Sequence, residues 1–174
     1  MERRARFKVL YGAHAPAVKG YILRRAEPSL ADDLLAEVFI VAWRRLDEVP
    51  ADPLPWLLGV ARRVLATQRR GERRRRALRD RLAENSAAPP AIQAGPDTAR
   101  LRGALERLGE SDRELLLLIA WEELSPSQVA AVLGVKPGTV RVRLHRARRR
   151  LAEALARERE QPTRCTSLPM EASP

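Results

Sequence analysis

The chain has 174 residues, room for one ordinary domain or two small helical ones. Its 33 Lys and Arg outnumber 22 Asp and Glu, giving a net charge of +11 that points to nucleic acid or an anionic membrane surface. No apolar run approaches the roughly 18 residues that span a bilayer, no signal-peptide pattern is expected, and lone Cys165 allows neither an internal disulfide nor a cysteine-based metal cluster.

The expected class is therefore a cytoplasmic, non-membrane protein that binds a polyanion. Only Lys8, Lys19 and Lys136 are lysines, an arginine preference that suits phosphate recognition and equally a GC-rich codon bias.

The first helix is marked by Phe7, Leu10, Tyr11, His14, Val18, Tyr21 and Ile22, an apolar stripe at helical spacing. Pro16 is expected to kink or divide it, and His14 reads as a packed core histidine. A second helix is predicted from about Ser29, its expected N-cap, to Leu46, with Leu34, Val38, Val41 and Leu46 inward. An acidic, proline-punctuated loop follows at 47–55. The third helix is predicted from Trp56 to about Arg76, burying Leu57, Val60, Ala61, Val64 and Leu65.

Charge is segregated over these helices. Residues 26–60 hold seven acids against Arg44 and Arg45, net −5, whereas residues 62–81 hold ten arginines against Glu72 and Asp80, net +8. Surfaces of opposite sign imply two different partners.

The stretch "ENSAAPPAIQAGPD" (84–97) has no period and reads as a linker, so the units on either side are expected to move independently in the free chain. Helical spacing resumes at Leu101, Leu105 and Leu108. "SDRE" (111–114) reads as a capping box opening a further helix. "SPSQ" (125–128) reads as a second capping box with proline at the first helical position. Residues after Gln161 read as a tail. No strand-like alternation appears, and the expected fold class is all-α.

The last two elements form the most informative pattern. Ser125 to Leu133 suits a short helix that Gly134 ends, and Pro137 and Gly138 open the next. There Val140, Leu144, Ala147 and Leu151 form one buried stripe, while residues 141–150 carry six arginines and no acid. This is a helix-turn-helix, its apolar half holding an arginine-rich helix outward for the major groove of DNA. No enzyme is expected, because two histidines about 130 residues apart and one tail cysteine leave no nucleophile, metal or nucleotide constellation. No cofactor is expected either.

The blocks "ADDLLAEVFIVAWRRL", "PWLLGVARRVLATQRR" and "SDRELLLLIAWEELSPSQVAAVLGVKPGTVRVRLHRARRRL" occur in an order and spacing that resemble the extracytoplasmic-function sigma factors. The resemblance implies two helical domains: sigma region 2 at 1–82 and a helix-turn-helix region 4 at 101–160, with a linker at 83–100 and a tail at 161–174. It implies that the chain confers promoter specificity on bacterial RNA polymerase core and helps open DNA. Asp33, Leu34, Glu37, Phe39 and Trp43 match the part that docks on the polymerase clamp helices, and region 4 is expected to meet the flap. Trp56, Arg62, Arg63, Thr67, Arg69 and Arg70 lie in the part that captures single-stranded bases of the minus-ten element. Thr139, Arg141, Val142, His145, Arg146 and Arg149 lie in the part that reads the minus-thirty-five element as duplex. An anti-sigma factor is a further partner the family implies.

Several positions depart from the family pattern. Ala36 replaces a usual glutamine, Arg63 and Thr67 replace an asparagine and an aspartate, and Lys136 and Val142 replace serines. Val142 cannot donate a hydrogen bond but is able to touch a thymine methyl. The alternative to a sigma factor is a polymerase-independent helix-turn-helix repressor or activator, which would bind duplex promoter DNA tightly by itself.

Overall fold

A computed structural model describes residues 2–80 and 96–160, and these are helix and turn with no strand among them. Seven α-helices follow in order: α1 Glu2–Leu23, α2 Ala31–Arg44, α3 Pro53–Asp80, α4 Pro96–Glu106, α5 Glu110–Ala120, α6 Pro126–Leu133 and α7 Pro137–Glu160. Short 3-10 turns at Pro28–Leu30 and Leu46–Glu48 flank α2. The all-α expectation is met. Residues 83–95 of the expected linker and the tail with Cys165 lie outside the described residues, whereas 96–100, also expected as linker, form the start of α4.

The first three helices surround one apolar centre. Val18, Tyr21 and Ile22 of α1 meet Leu34, Val38 and Ala42 of α2 and Leu57, Leu58, Val60 and Ala61 of α3, all nearly or fully buried. Pro16 does not divide α1, which runs unbroken past it. Pro16 and the residue one turn earlier, Gly12, are both exposed, so water can satisfy the carbonyl that proline leaves without a donor. Ser29 does not cap α2: it sits inside the preceding 3-10 turn, and Leu30 takes the cap position without a side-chain bond. Asp32 and Asp33 in the first turn complement the helix dipole instead.

The second half is built on α5, α6 and α7, with α4 laid along α7. "SDRE" is not a capping box. Gly109 is the N-cap residue and α5 starts at Glu110, leaving Ser111 within the first turn. "SPSQ" is one: Ser125 accepts from the Gln128 backbone, and the Gln128 side chain accepts from the Ser125 backbone N–H at 2.9 Å. Gly134 closes α6 in the left-handed region, φ 68°, where a Cβ would be strained. Val140, Leu144 and Ala147 are buried and hold α7 in place.

The two halves are in contact. α3 lies against α6, and the buried residues of both halves form one continuous apolar cluster. Gly59 permits the approach: a Cβ there would stand 3.4 Å from the Val132 carbonyl oxygen. This also explains Leu58, buried although off the expected stripe: α3 is covered by α1 and α2 on one side and by α6 on another. Helical periodicity reports one buried face and is blind to a second.

Candidate functional surfaces

On α2, the side away from the core exposes Asp33, Glu37, Ile40 and Trp43, each about one turn from the next. Ile40 is half exposed; it was not singled out in the sequence, although it continues the Asp33–Glu37 row. Leu34 and Phe39 are buried at 4% and 3% exposure, so they shape this surface from beneath and do not belong to it. Phe39 stacks edge-on with Tyr11 (4.7 Å between ring centres) and Phe7, and Phe7 stacks edge-on with Trp43. Arg3 lies over the Trp43 ring and donates to its carbonyl at 2.9 Å. These contacts orient the exposed indole. The surface is acidic with an apolar centre.

The basic surface of α3 carries Arg62, Arg63, Thr67 and Arg70, all exposed. Thr67 donates to the Arg63 carbonyl and accepts from Arg70. Trp56, at the start of this helix, is half-buried, with the Arg45 guanidinium 5.8 Å from its ring centre. The hydrogen bond from Arg45 holds the Glu48 carboxyl below its ordinary range. Arg69 is engaged elsewhere: it pairs with Glu110 of α5 at 2.6 Å and donates to the Arg25 carbonyl.

On α7, Thr139, Arg141, Val142, His145, Arg146 and Arg149 are all exposed. Val142 is half open to solvent. Arg149 has a neighbour of opposite charge, Glu153, at 3.5 Å, and Arg150 is tied to Asp112 of α5. The capping box of α6 and the Gly134 turn position this helix, and the Val140–Leu144–Ala147 stripe sets which side faces outward.

A fourth polar group went unnoticed in the sequence. The Arg25 side chain, just past α1, is 4% exposed and donates to Glu114 at 2.9 Å and Glu122 at 3.1 Å. Its guanidinium stacks 3.7 Å from the Tyr21 ring centre. The Tyr21 hydroxyl donates to Glu114, and Arg24 pairs with Glu122. Burial, assisted by the Glu114 charge, pushes the Tyr21 phenol far above its usual range. Arg25 Nη2 has no hydrogen-bond partner. The only signal in the sequence was an Arg-Arg pair after an apolar stripe, which names no partner. Among the described residues, no helix is long and apolar enough to cross a membrane.

Comparison with known proteins agrees with this architecture. The family model for sigma-70 region 2 matches residues 10–75, and that for sigma-70 region 4 matches residues 98–151. The RNA polymerase sigma factor CarQ of Myxococcus xanthus is 32% identical over 158 residues, covering 86% of this chain and 88% of CarQ. The ECF RNA polymerase sigma factor EcfG of Rhodopseudomonas palustris is 32% identical over 130 residues, covering 72% of this chain and 71% of EcfG. Among solved structures, the sigma factor RpoE from Bartonella quintana, in complex with the anti-sigma factor NepR, superposes with a TM-score of 0.64. Its identity is 28%, over 86% of this chain and 96% of that one. Both sigma regions are matched in order and CarQ is related along most of its length, so the chain belongs to the extracytoplasmic-function sigma factors of RNA polymerase, which direct promoter-specific initiation of transcription.

Proposed function

We propose that the chain divides its work among the three exposed surfaces. The acidic α2 surface, with Asp33, Glu37, Ile40 and Trp43, docks on the clamp helices of polymerase core, where opposite charge speeds encounter and the indole and isoleucine supply desolvated contact. The α3 surface, with Trp56, Arg62, Arg63, Thr67 and Arg70, takes the single-stranded minus-ten element, arginines along the backbone and Trp56 beside an unstacked base. On α7, Thr139, Arg141, Val142, His145 and Arg146 read base edges of the minus-thirty-five duplex, and Arg149 meets phosphate.

The observation that carries this reading is α7 itself: its apolar stripe is buried while its arginines are exposed together. The protein acts by binding rather than by catalysis, in the cytoplasm, with the flap of polymerase as the second docking point for region 4. RpoE was solved with the anti-sigma factor NepR, and CnrH with the cytosolic domain of CnrY; the likeness to RpoE supports an anti-sigma partner here. Arg63, Thr67, Lys136 and Val142 set a promoter preference of this chain's own.

The test is pull-down of polymerase core followed by run-off transcription on a library of genomic fragments. Specific transcripts that require both core and this chain are expected. Tight, specific duplex binding without core, together with no transcripts, would instead make it an autonomous regulator.

A further inference from the structure

Val142 is unlike its neighbours on α7. At about 100° per residue it lies about 140–160° round the helix from Val140, Leu144 and Ala147, which are buried. Val142 itself is 52% exposed, so the core does not account for it, and a β-branched side chain is a poorer helix former than the arginines and alanines around it. The residues that share its side of the helix are polar and exposed: Thr139, His145, Arg146 and Arg149. A single exposed valine is ordinary on a protein surface. This one stands at the middle of the outward face in the second turn of α7, where a helix seated in the major groove meets base edges.

The arginines around it are not equivalent. Arg149 pairs with Glu153 at 3.5 Å, and Arg150 is tied to Asp112. Arg141 and Arg146 have no acid against them among the described residues, so they reach a base or a phosphate without first leaving a carboxylate. The start of α7 therefore combines one apolar side chain with free cations.

The major groove offers an apolar side chain one partner, the C5-methyl group of thymine. A methylated cytosine carries the same methyl at the same place. It differs at C4, where thymine has an acceptor and cytosine a donor. Valine neither donates nor accepts, so it answers to the methyl and is blind to that difference.

We propose that Val142 makes promoter selection respond to the C5-methyl group itself. One base pair of the duplex element is selected for a methylated pyrimidine, thymine or 5-methylcytosine, and cytosine methylation there strengthens binding. This rests on the reading of α7 as the minus-thirty-five helix. Burying one methyl group is worth about fourfold in affinity.

The test is a methyl scan with holoenzyme. A promoter fragment recovered by run-off transcription is rebuilt one base pair at a time across its minus-thirty-five duplex, each thymine replaced by deoxyuridine and each cytosine by 5-methyldeoxycytidine. Every base pair holds one pyrimidine, so no pair escapes the scan, and each replacement changes a C5-methyl group and no hydrogen-bonding group. Wild type should lose about fourfold on deoxyuridine, or gain about fourfold on 5-methyldeoxycytidine, at a pair where Val142→Ser shows neither. That substitution is at an exposed site and leaves the buried stripe intact. Wild-type binding that no methyl change alters overturns the proposal. So do methyl effects that all survive in Val142→Ser. Holoenzyme that binds no promoter fragment defeats the sigma-factor reading beneath it, a failure that shows before any base is replaced.

Discussion

The Tyr21 hydroxyl donates a 2.7 Å hydrogen bond to Glu114, 93 residues further along the chain. One end of this bond lies in the three-helix half and the other on the helix-turn-helix half, with Arg25 stacked on the ring and bonded to the same carboxylate. Burial holds the phenol protonated well past its ordinary value of 10.0. The folded chain therefore keeps a proton that the unfolded chain releases near that value. The stability contributed by this group is complete below pH 10.0 and falls as pH rises above it. Thermal unfolding of wild type should lose stability between about pH 9 and pH 11 by more than Tyr21→Phe does. At neutral pH Tyr21→Phe should cost about 1 kcal/mol. Equal alkaline losses in both would show that Tyr21 does not report on this contact.

Arg25→Ala should be far more damaging than Arg24→Ala. Removing the Arg25 guanidinium leaves Glu114 only the Tyr21 hydroxyl and Glu122 only Arg24, with 16% and 7% of their side chains exposed, and should cost about 3 kcal/mol in urea unfolding. The Arg24 side chain is 31% exposed and shares Glu122 with Arg25, so its removal should cost under about 1 kcal/mol. Similar midpoints for the two variants would contradict the burial assigned to Arg25.

Reversing Asp33 and Glu37 to lysine should weaken binding to polymerase core, most at low salt, where a surface charge is least screened. Ile40→Ala should weaken it at every salt concentration, because the contact it loses is apolar. Titration of labelled core across a salt series separates the two effects, and an Ile40 variant with wild-type affinity would remove that residue from the surface.

On α7, Arg146→Ala should lose about 1–3 kcal/mol at one base pair and relax preference there. Arg149→Ala should weaken all promoters alike and lower the salt slope by about one unit. Its neighbour Glu153 stands at 3.5 Å. Holoenzyme binding to single-base promoter variants at several salt concentrations reads both. A uniform loss for Arg146→Ala would make it a phosphate contact.

Ser125→Ala removes one half of the capping box and should cost about 1 kcal/mol of stability. Holoenzyme affinity for duplex promoter should fall with it, since α6 supports the recognition helix. Gly134→Val should be worse, because valine is strained at φ 68°. Chemical denaturation ranks the two, and a Gly134 variant as stable as wild type would contradict the turn geometry.

The amino-acid sequence by itself determined the helices, the helix-turn-helix and the outward side of α7. These depend on interactions between residues three or four apart: an apolar stripe such as Val140, Leu144 and Ala147, or a reciprocal cap such as Ser125 and Gln128. Local spacing was less reliable at helix starts, where Ser29 and "SDRE" carried plausible capping chemistry but a neighbouring turn or Gly109 took the position. Tertiary structure alone decided that Phe39 lies beneath the exposed acidic face of α2, that Leu58 is buried, and that Arg69 is held by Glu110. It also decided that the halves close on each other. Each of these depends on a second burial face or on a charge pair between residues some 40 to 100 positions apart. Periodicity along one helix does not encode what covers its other side, and a row of arginines is the same sequence whether it faces water, DNA or a carboxylate from the other half of the chain.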